Sequence, residues 1–271
     1  MIVIIKPDPD AVTRYAYDFV RAKLTAKPNL VLGLPTGSTP QRLYKALAEG
    51  CRKGEVDFSR VHTFNLDEYI GLAPDHPQSY FHFMRVNLFD HVNLPPTNIH
   101  FLSGLPDDVE THCEDYERQI RDLGGIDLQI LGIGRDGHIG FNEPTSSLCS
   151  RTRDKTLTRD TIEDNRRFFE NEDEVPRWAL TMGVGTILAA RDLLVLATGR
   201  AKAEAIAAMV EGPLTAMCTA SALQMHPRAR VVCDEAAAAK LDHDEYYRWM
   251  QENDFRMRGV LEAGRSRKPK K

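Results

Sequence analysis

The chain has no apolar run approaching the length needed to cross a membrane. Its opening, Met1-Ile2-Val3-Ile4-Ile5, meets Lys6 and Pro7 too soon for a signal peptide, which predicts a cytoplasmic protein. Cysteine is scarce. Cys51, Cys113, Cys149, Cys218 and Cys233 are odd in number and lack C-x-x-C spacing, so they read as reduced structural thiols and exclude a disulfide scaffold. There is no excess of positive charge either. The 35 Lys and Arg against 39 Asp and Glu give a formal charge of -4, which excludes global attraction to nucleic acid or an anionic membrane. An anionic ligand would need a local basic site. No repeat or low-complexity linker divides the 271 residues, so a single domain over 1–262 is expected, ending in a basic, disordered tail at 263–271.

What is present is alternation. The apolar runs Ile2 to Ile5, Leu30 to Leu34, Val61 to Leu66, Ile126 to Ile133, Leu193 to Thr198 and Ala229 to Cys233 read as buried strands. Helical patterns separate them, the clearest at Ala11 to Ala26, Pro40 to Ala48, Val109 to Leu123 and Ala201 to Val210. This order predicts an α/β protein: one open, mostly parallel sheet with helices on both faces, a Rossmann-like three-layer arrangement. Ligands of such sheets bind beyond the carboxyl ends of the strands. The polar segment 142–173 lacks apolar periodicity and is expected to serve the site as a lid.

Four stretches beyond strand ends carry chemistry. After Leu34, Pro35-Thr36-Gly37-Ser38-Thr39-Pro40 opens a helix. Ser38 or Thr39 can cap it, and the glycines let backbone amides face an anion. The absent G-K-[ST] ending points to a small phosphate rather than a nucleotide, with a merely well-capped strand-to-helix turn as the alternative. A second junction, Thr198-Gly199-Arg200-Ala201-Lys202, sets Lys202 in a first helical turn, where a cation opposes the dipole unless it meets an anion. After Leu66 come Asp67 and Glu68, of which one could act as a base on a bound substrate.

The richest stretch is Gly132-Ile133-Gly134-Arg135-Asp136-Gly137-His138-Ile139-Gly140-Phe141-Asn142-Glu143-Pro144. Its formal G-x-G-x-x-G would mark a dinucleotide site if a helix opened there, but Gly140 and Pro144 oppose a helix. Asp136, His138 and Glu143 then suit a histidine oriented by carboxylates; a metal site and an ordinary loop histidine remain alternatives.

Taken together, Leu32 to Pro40, Phe64 to Gly71, Gly132 to Pro144, Ser146 to Thr158 and Ala179 to Thr186 resemble the glucosamine-6-phosphate deaminase family over nearly the whole chain. The resemblance implies that Asp67 relays a proton between C2 and C1 of an open-chain amino-sugar phosphate. It implies that His138 opens the sugar ring, with Asp136 and Glu143 orienting it. Ser38, Thr39, Arg167 and Lys202 would hold the phosphate. No metal or organic cofactor is implied, and a homohexamer is. Ser146, Arg153 and Lys155 match an effector site for N-acetylglucosamine 6-phosphate in some members. Arg248 stands where that site has an aromatic residue, with Tyr246 and Tyr247 beside it. Two other readings remain open: a 6-phosphogluconolactonase-type hydrolase, and a non-catalytic sugar-phosphate sensor. Neither gives Asp67 an evident task.

Overall fold

The computed structural model describes residues 1–166, 169, 171 and 174–253. The expected phosphate ligand Arg167 and the basic tail lie outside the described residues. In chain order the regular elements begin β1 (Ile2–Lys6), α1 (Pro9–Ala26), β2 (Val31–Leu34), α2 (Ser38–Arg52), β3 (His62–Asn65), β4 (Asp67–Tyr69) and α3 (Tyr80–Asn87). They continue with β5 (Ile99–His100), α4 (Val109–Asp122), β6 (Leu128–Leu131), β7 (Arg153–Thr156), α5 (Arg159–Arg166) and β8 (Trp178–Thr181). The last are α6 (Val184–Leu188), β9 (Asp192–Ala197), α7 (Ala203–Val210), β10 (Ala229–Asp234) and α8 (Asp244–Asn253), with short 3-10 turns between.

Seven strands form the expected open sheet in the order β1-β10-β9-β6-β2-β3-β5, and every pairing is parallel. Strand alternation splits the core between its faces. Leu32, Leu128 and Ile130 point to a layer with Val12 and Phe19 of α1, Leu43 of α2 and Met84 of α3. Val31, Leu131 and Val195 point to the opposite layer, with Tyr116 and Ile120 of α4, Ile187 of α6 and Ile206 of α7. α1 shows why the sequence folds this way. Asp8 accepts a hydrogen bond from Ala11 N at 2.7 Å, and Pro9 takes the first helical position. Val12, Ala16, Phe19, Val20 and Leu24 then form one buried stripe. Each large member contributes about 1.5–3 kcal/mol by leaving water.

The two ends of the sheet differ in character. At the amino end, buried Asp127 pairs with Lys27 and Arg191, and buried Asp192 with Lys23 and Arg228. Both carboxylates therefore already have basic partners supplied by the protein itself. The carboxyl end opens into a cavity at the switch in strand order between β2 and β6, where chain progression reverses.

Several readings are sharpened. The run Val61 to Leu66 splits at Leu66: its N–H donates to Leu34 O, while its carbonyl accepts from Met182 N. The chain thereby passes into a second, antiparallel sheet, β4-β8-β7, that periodicity did not reveal. Segment 142–173 is not structureless, since it contributes β7 and α5. α2 starts two residues earlier than expected. Gly37 is its N-cap, so Ser38 and Thr39 lie inside the first turn and do not cap it. Lys202 ends a 3-10 turn and is the N-cap of α7 rather than a residue of its first turn, because the chain winds tightly through Gly199-Arg200 first.

Candidate active site

Gly37, with φ of 114°, turns the chain sharply out of β2 into α2. No side chain caps the helix, so the amides of its first turn are available to a ligand. Gly37, Ser38 and Thr39 line a cavity of about 530 Å³, a suitable size for one sugar phosphate. Lys202 reaches the same cavity from the end of β9. Its turn is fixed by buried Asp234, the last residue of β10, whose carboxylate accepts from Gly199 N at 3.0 Å and from Ala237 N at 2.8 Å. Nothing in the sequence singled out Asp234.

Asp67 stands at the seam between the two sheets and lines the cavity, although only 6% of it is exposed. Burial, reinforced by the charge of Glu68 and partly offset by His138, pushes its carboxyl up to about 8. The neighbouring carboxylates divide by strand alternation. Glu68 turns away from the cavity and accepts from the backbone N–H groups of Tyr69, Tyr80 and Phe81 at 2.8–2.9 Å. It thereby anchors the start of α3, which brings Ser79, Tyr80 and Phe83 to the cavity wall.

His138 sits on the tight loop after β6. A side chain at Gly134 would overlap the imidazole, with its Cβ only 2.4–2.6 Å from ring atoms, so this glycine seats the histidine. No helix opens in the stretch, and the formal dinucleotide fingerprint therefore has no helix dipole to offer. Nδ1 lies 2.7 Å from Asp136 Oδ1 and 3.6 Å from Glu143 Oε2, as ion contacts rather than aligned hydrogen bonds. With Nδ1 held there, Nε2 is left for the cavity side, where His138 is part of the wall. Burial pulls the His138 pKa down, but Asp136 and Glu143 outweigh it and leave it above the ordinary histidine value. Asp136 moves the opposite way: burial raises it, yet the contact with His138 prevails and lowers it. The three donor atoms lie within 4.8 Å of one another.

The structure thus gathers Ser38, Thr39, Asp67, His138 and Lys202 around one cavity, with Asp136 and Glu143 behind the histidine. Sequence reading missed the aromatic wall. Tyr69, Tyr80, Phe141 and Phe169 line the cavity, with Tyr80 stacked on Phe141 and its hydroxyl 3.2 Å from that of Tyr69. It also missed Asn165 of α5, which lines the cavity as well. Of the expected effector residues, Arg153 and Lys155 share the half-buried face of β7. Arg153 donates to Asn142 Oδ1 at 3.0 Å, and Ser146 is buried with its hydroxyl unpartnered. Arg248, in the expected aromatic position, forms a two-pronged ion pair with Glu235 at 2.6 and 2.9 Å.

A parallel α/β sheet with an uncapped helix start, a buried carboxylate and a carboxylate-flanked histidine at its switch point is the arrangement of a sugar-phosphate enzyme class. The profile of glucosamine-6-phosphate isomerases/6-phosphogluconolactonase matches residues 9–237, and the chain belongs to that family. Among its relatives, the glucosamine-6-phosphate deaminase of Hahella chejuensis is 56% identical over 260 residues, 96% of this chain and 99% of that protein. The enzyme of the same name from Shewanella woodyi is 52% identical over 92% of this chain and 94% of its own. A solved monomeric glucosamine-6-phosphate deaminase superposes with a TM-score of 0.86 at 40% identity, covering 89% of this chain and all of that one. The 6-phosphogluconolactonase of Thermotoga maritima shares the fold, with a TM-score of 0.68 at 21% identity over 86% of this chain and 99% of that one.

Proposed function

We propose that this chain is a glucosamine-6-phosphate deaminase, converting glucosamine 6-phosphate and water to fructose 6-phosphate and ammonia. The observation that carries this reading is Asp67, a buried carboxylate of raised basicity placed in the cavity with His138. Hydrolysis of a lactone has no use for a base that works between two carbons.

His138 takes the proton of the anomeric hydroxyl at Nε2 and returns one to the ring oxygen, opening the pyranose. Asp136 and Glu143 hold the ring and stabilise its charged form. Asp67 removes the C2 proton and delivers it to C1, converting the open-chain aldehyde through an enolamine to a C2 imine. Water adds to that carbon, and ammonia leaves. The last step makes the enzyme a hydrolase of a carbon–nitrogen bond. The reaction balances with water as the sole co-reactant, and the Asp136-His138-Glu143 cluster is read as proton-transfer machinery. The amides of the first turn of α2, Ser38, Thr39, Lys202 and Arg167 hold the remote phosphate, whose binding energy orients the carbons. Segment 142–173 closes the cavity as a lid, a reading supported by Asn165 and Phe169 in its wall.

Two substrates separate the readings. Purified protein should release ammonia from glucosamine 6-phosphate and leave 6-phosphogluconolactone at its spontaneous hydrolysis rate. Lactone hydrolysis without ammonia release would replace the proposal with the lactonase, and binding without either reaction would replace it with the sensor.

Both Asp67 and His138 must be deprotonated to accept their protons. The free enzyme's kcat/KM should therefore rise with pH, through the range above the ordinary histidine value and up to about 8 where Asp67 ionises. A profile already flat at pH 6 would contradict these roles.

We also infer cytoplasmic location from the five free cysteines, and a homohexamer and activation by N-acetylglucosamine 6-phosphate as the family resemblance implies. Exposed Leu214, Met217 and Met225 support the assembly, and the positive face made by Arg153 and Lys155 supports the effector site. Light scattering at six chain masses and rate curves shifted by the effector are expected. A mass of one chain, or superimposable curves, would remove the respective inference.

A further inference from the structure

Glu143 is only 1% exposed, yet among the described residues a single hydrogen-bond donor serves its carboxylate. That donor is the hydroxyl of Thr161, 2.6 Å from Oε1. The other oxygen, Oε2, has no hydrogen-bond partner among the described residues and faces His138 Nδ1 at 3.6 Å. Thr161 belongs to α5, eighteen residues further along the chain. Its own hydroxyl accepts from Thr158 Oγ1 at 3.0 Å, so the orientation that donates to Glu143 is fixed from the start of the helix. Thr161 and Asn165 are four residues apart and share one helix face, and Asn165 lines the cavity.

We propose that Thr161 is a positioning residue that holds Glu143 against His138 and so makes helix α5 part of the proton-transfer machinery. The proposal rests on the deaminase reading for its catalytic consequence, but the contact itself does not. A buried carboxylate stripped of its only donor among the described residues is poorly solvated, and it either takes up a proton or turns away. In either case His138 loses the negative charge of Glu143. The other charged groups facing His138 are Asp136 on the same loop, Lys202 from the turn after β9, and Asp67 from β4. None of them reaches Glu143 as a hydrogen-bond donor. Because Glu143 helps to raise His138, its loss moves the histidine titration to lower pH.

The test follows the imidazole directly. The NMR titration of His138, assigned by its disappearance in His138→Gln, is recorded for the unliganded wild type, Thr161→Val and Thr161→Ser. Thr161→Val should titrate at lower pH, whereas Thr161→Ser, which keeps the hydroxyl, should follow the wild type. Turnover supplies a second reading: kcat falls about tenfold in Thr161→Val with KM nearly unchanged, because the phosphate contacts are elsewhere. Should Thr161→Val fail to fold, Thr161→Ala carries the same titration. An unmoved titration, or a Thr161→Ser protein as altered as Thr161→Val, overturns the proposal. A shifted titration in a protein that releases no ammonia would sustain the contact and remove the deaminase reading instead.

Discussion

Replacing Asp67 by asparagine should lower kcat for glucosamine 6-phosphate about 1,000-fold, the scale of a positioned acid–base group, and raise the melting temperature of the same protein. The two effects have one origin. Burial holds the carboxyl in its protonated form up to about pH 8, whereas the unfolded chain releases that proton near the ordinary aspartate value of 3.8. Between those values the folded protein binds more protons at this site than the unfolded one, so its stability falls as pH rises. Asparagine carries no such penalty. Its advantage should be nearly absent at pH 4, grow towards pH 8, and level off above. A gain on the order of 10 °C at pH 8 is the expected size. Equal melting temperatures of the two proteins across this range would contradict the burial argument, and undiminished turnover would remove Asp67 from the reaction.

Replacing His138 by glutamine should reduce kcat about 100-fold or more while sugar-phosphate affinity changes less than about threefold. Ring opening needs a group that both accepts and donates a proton near neutrality, and an amide does neither. The proposed phosphate contacts, Ser38, Thr39, Lys202 and the first turn of α2, do not include His138, so binding should survive. Inhibition by fructose 6-phosphate measures that affinity without turnover. Loss of binding with normal turnover at saturation would show that His138 holds substrate rather than moving protons.

The two replacements fall on residues that the sequence could place, and the reason is local. Asp67 and His138 follow apolar runs, and the carboxyl ends of parallel strands are where ligands gather. The turn from β2 into α2, which brings Ser38 and Thr39 to the cavity, could be placed for the same reason. What periodicity could not supply was contact between distant segments. Strands β7 and β8 alternate poorly in polarity and pair antiparallel outside the main sheet, so their role in carrying Asp67 past Leu66 emerges only from the hydrogen bonds. Glu68 looked equivalent to Asp67 in sequence; one step along a strand reverses a side chain, and Glu68 accepts from the first two amides of α3 instead. Gly134 looked like part of a nucleotide fingerprint until the imidazole was found packed against its missing side chain. Thr161 and Asp234 carried no motif at all, since a hydroxyl and a carboxylate that serve a loop far away in sequence leave no periodic trace.

Asp67 and His138 can be tested together in a single assay. Wild-type protein supplied with glucosamine 6-phosphate should release ammonia and form fructose 6-phosphate in equal amounts, while Asp67→Asn and His138→Gln, measured beside it, approach background. No ammonia from the wild type, or undiminished release from both variants, would contradict the assignment.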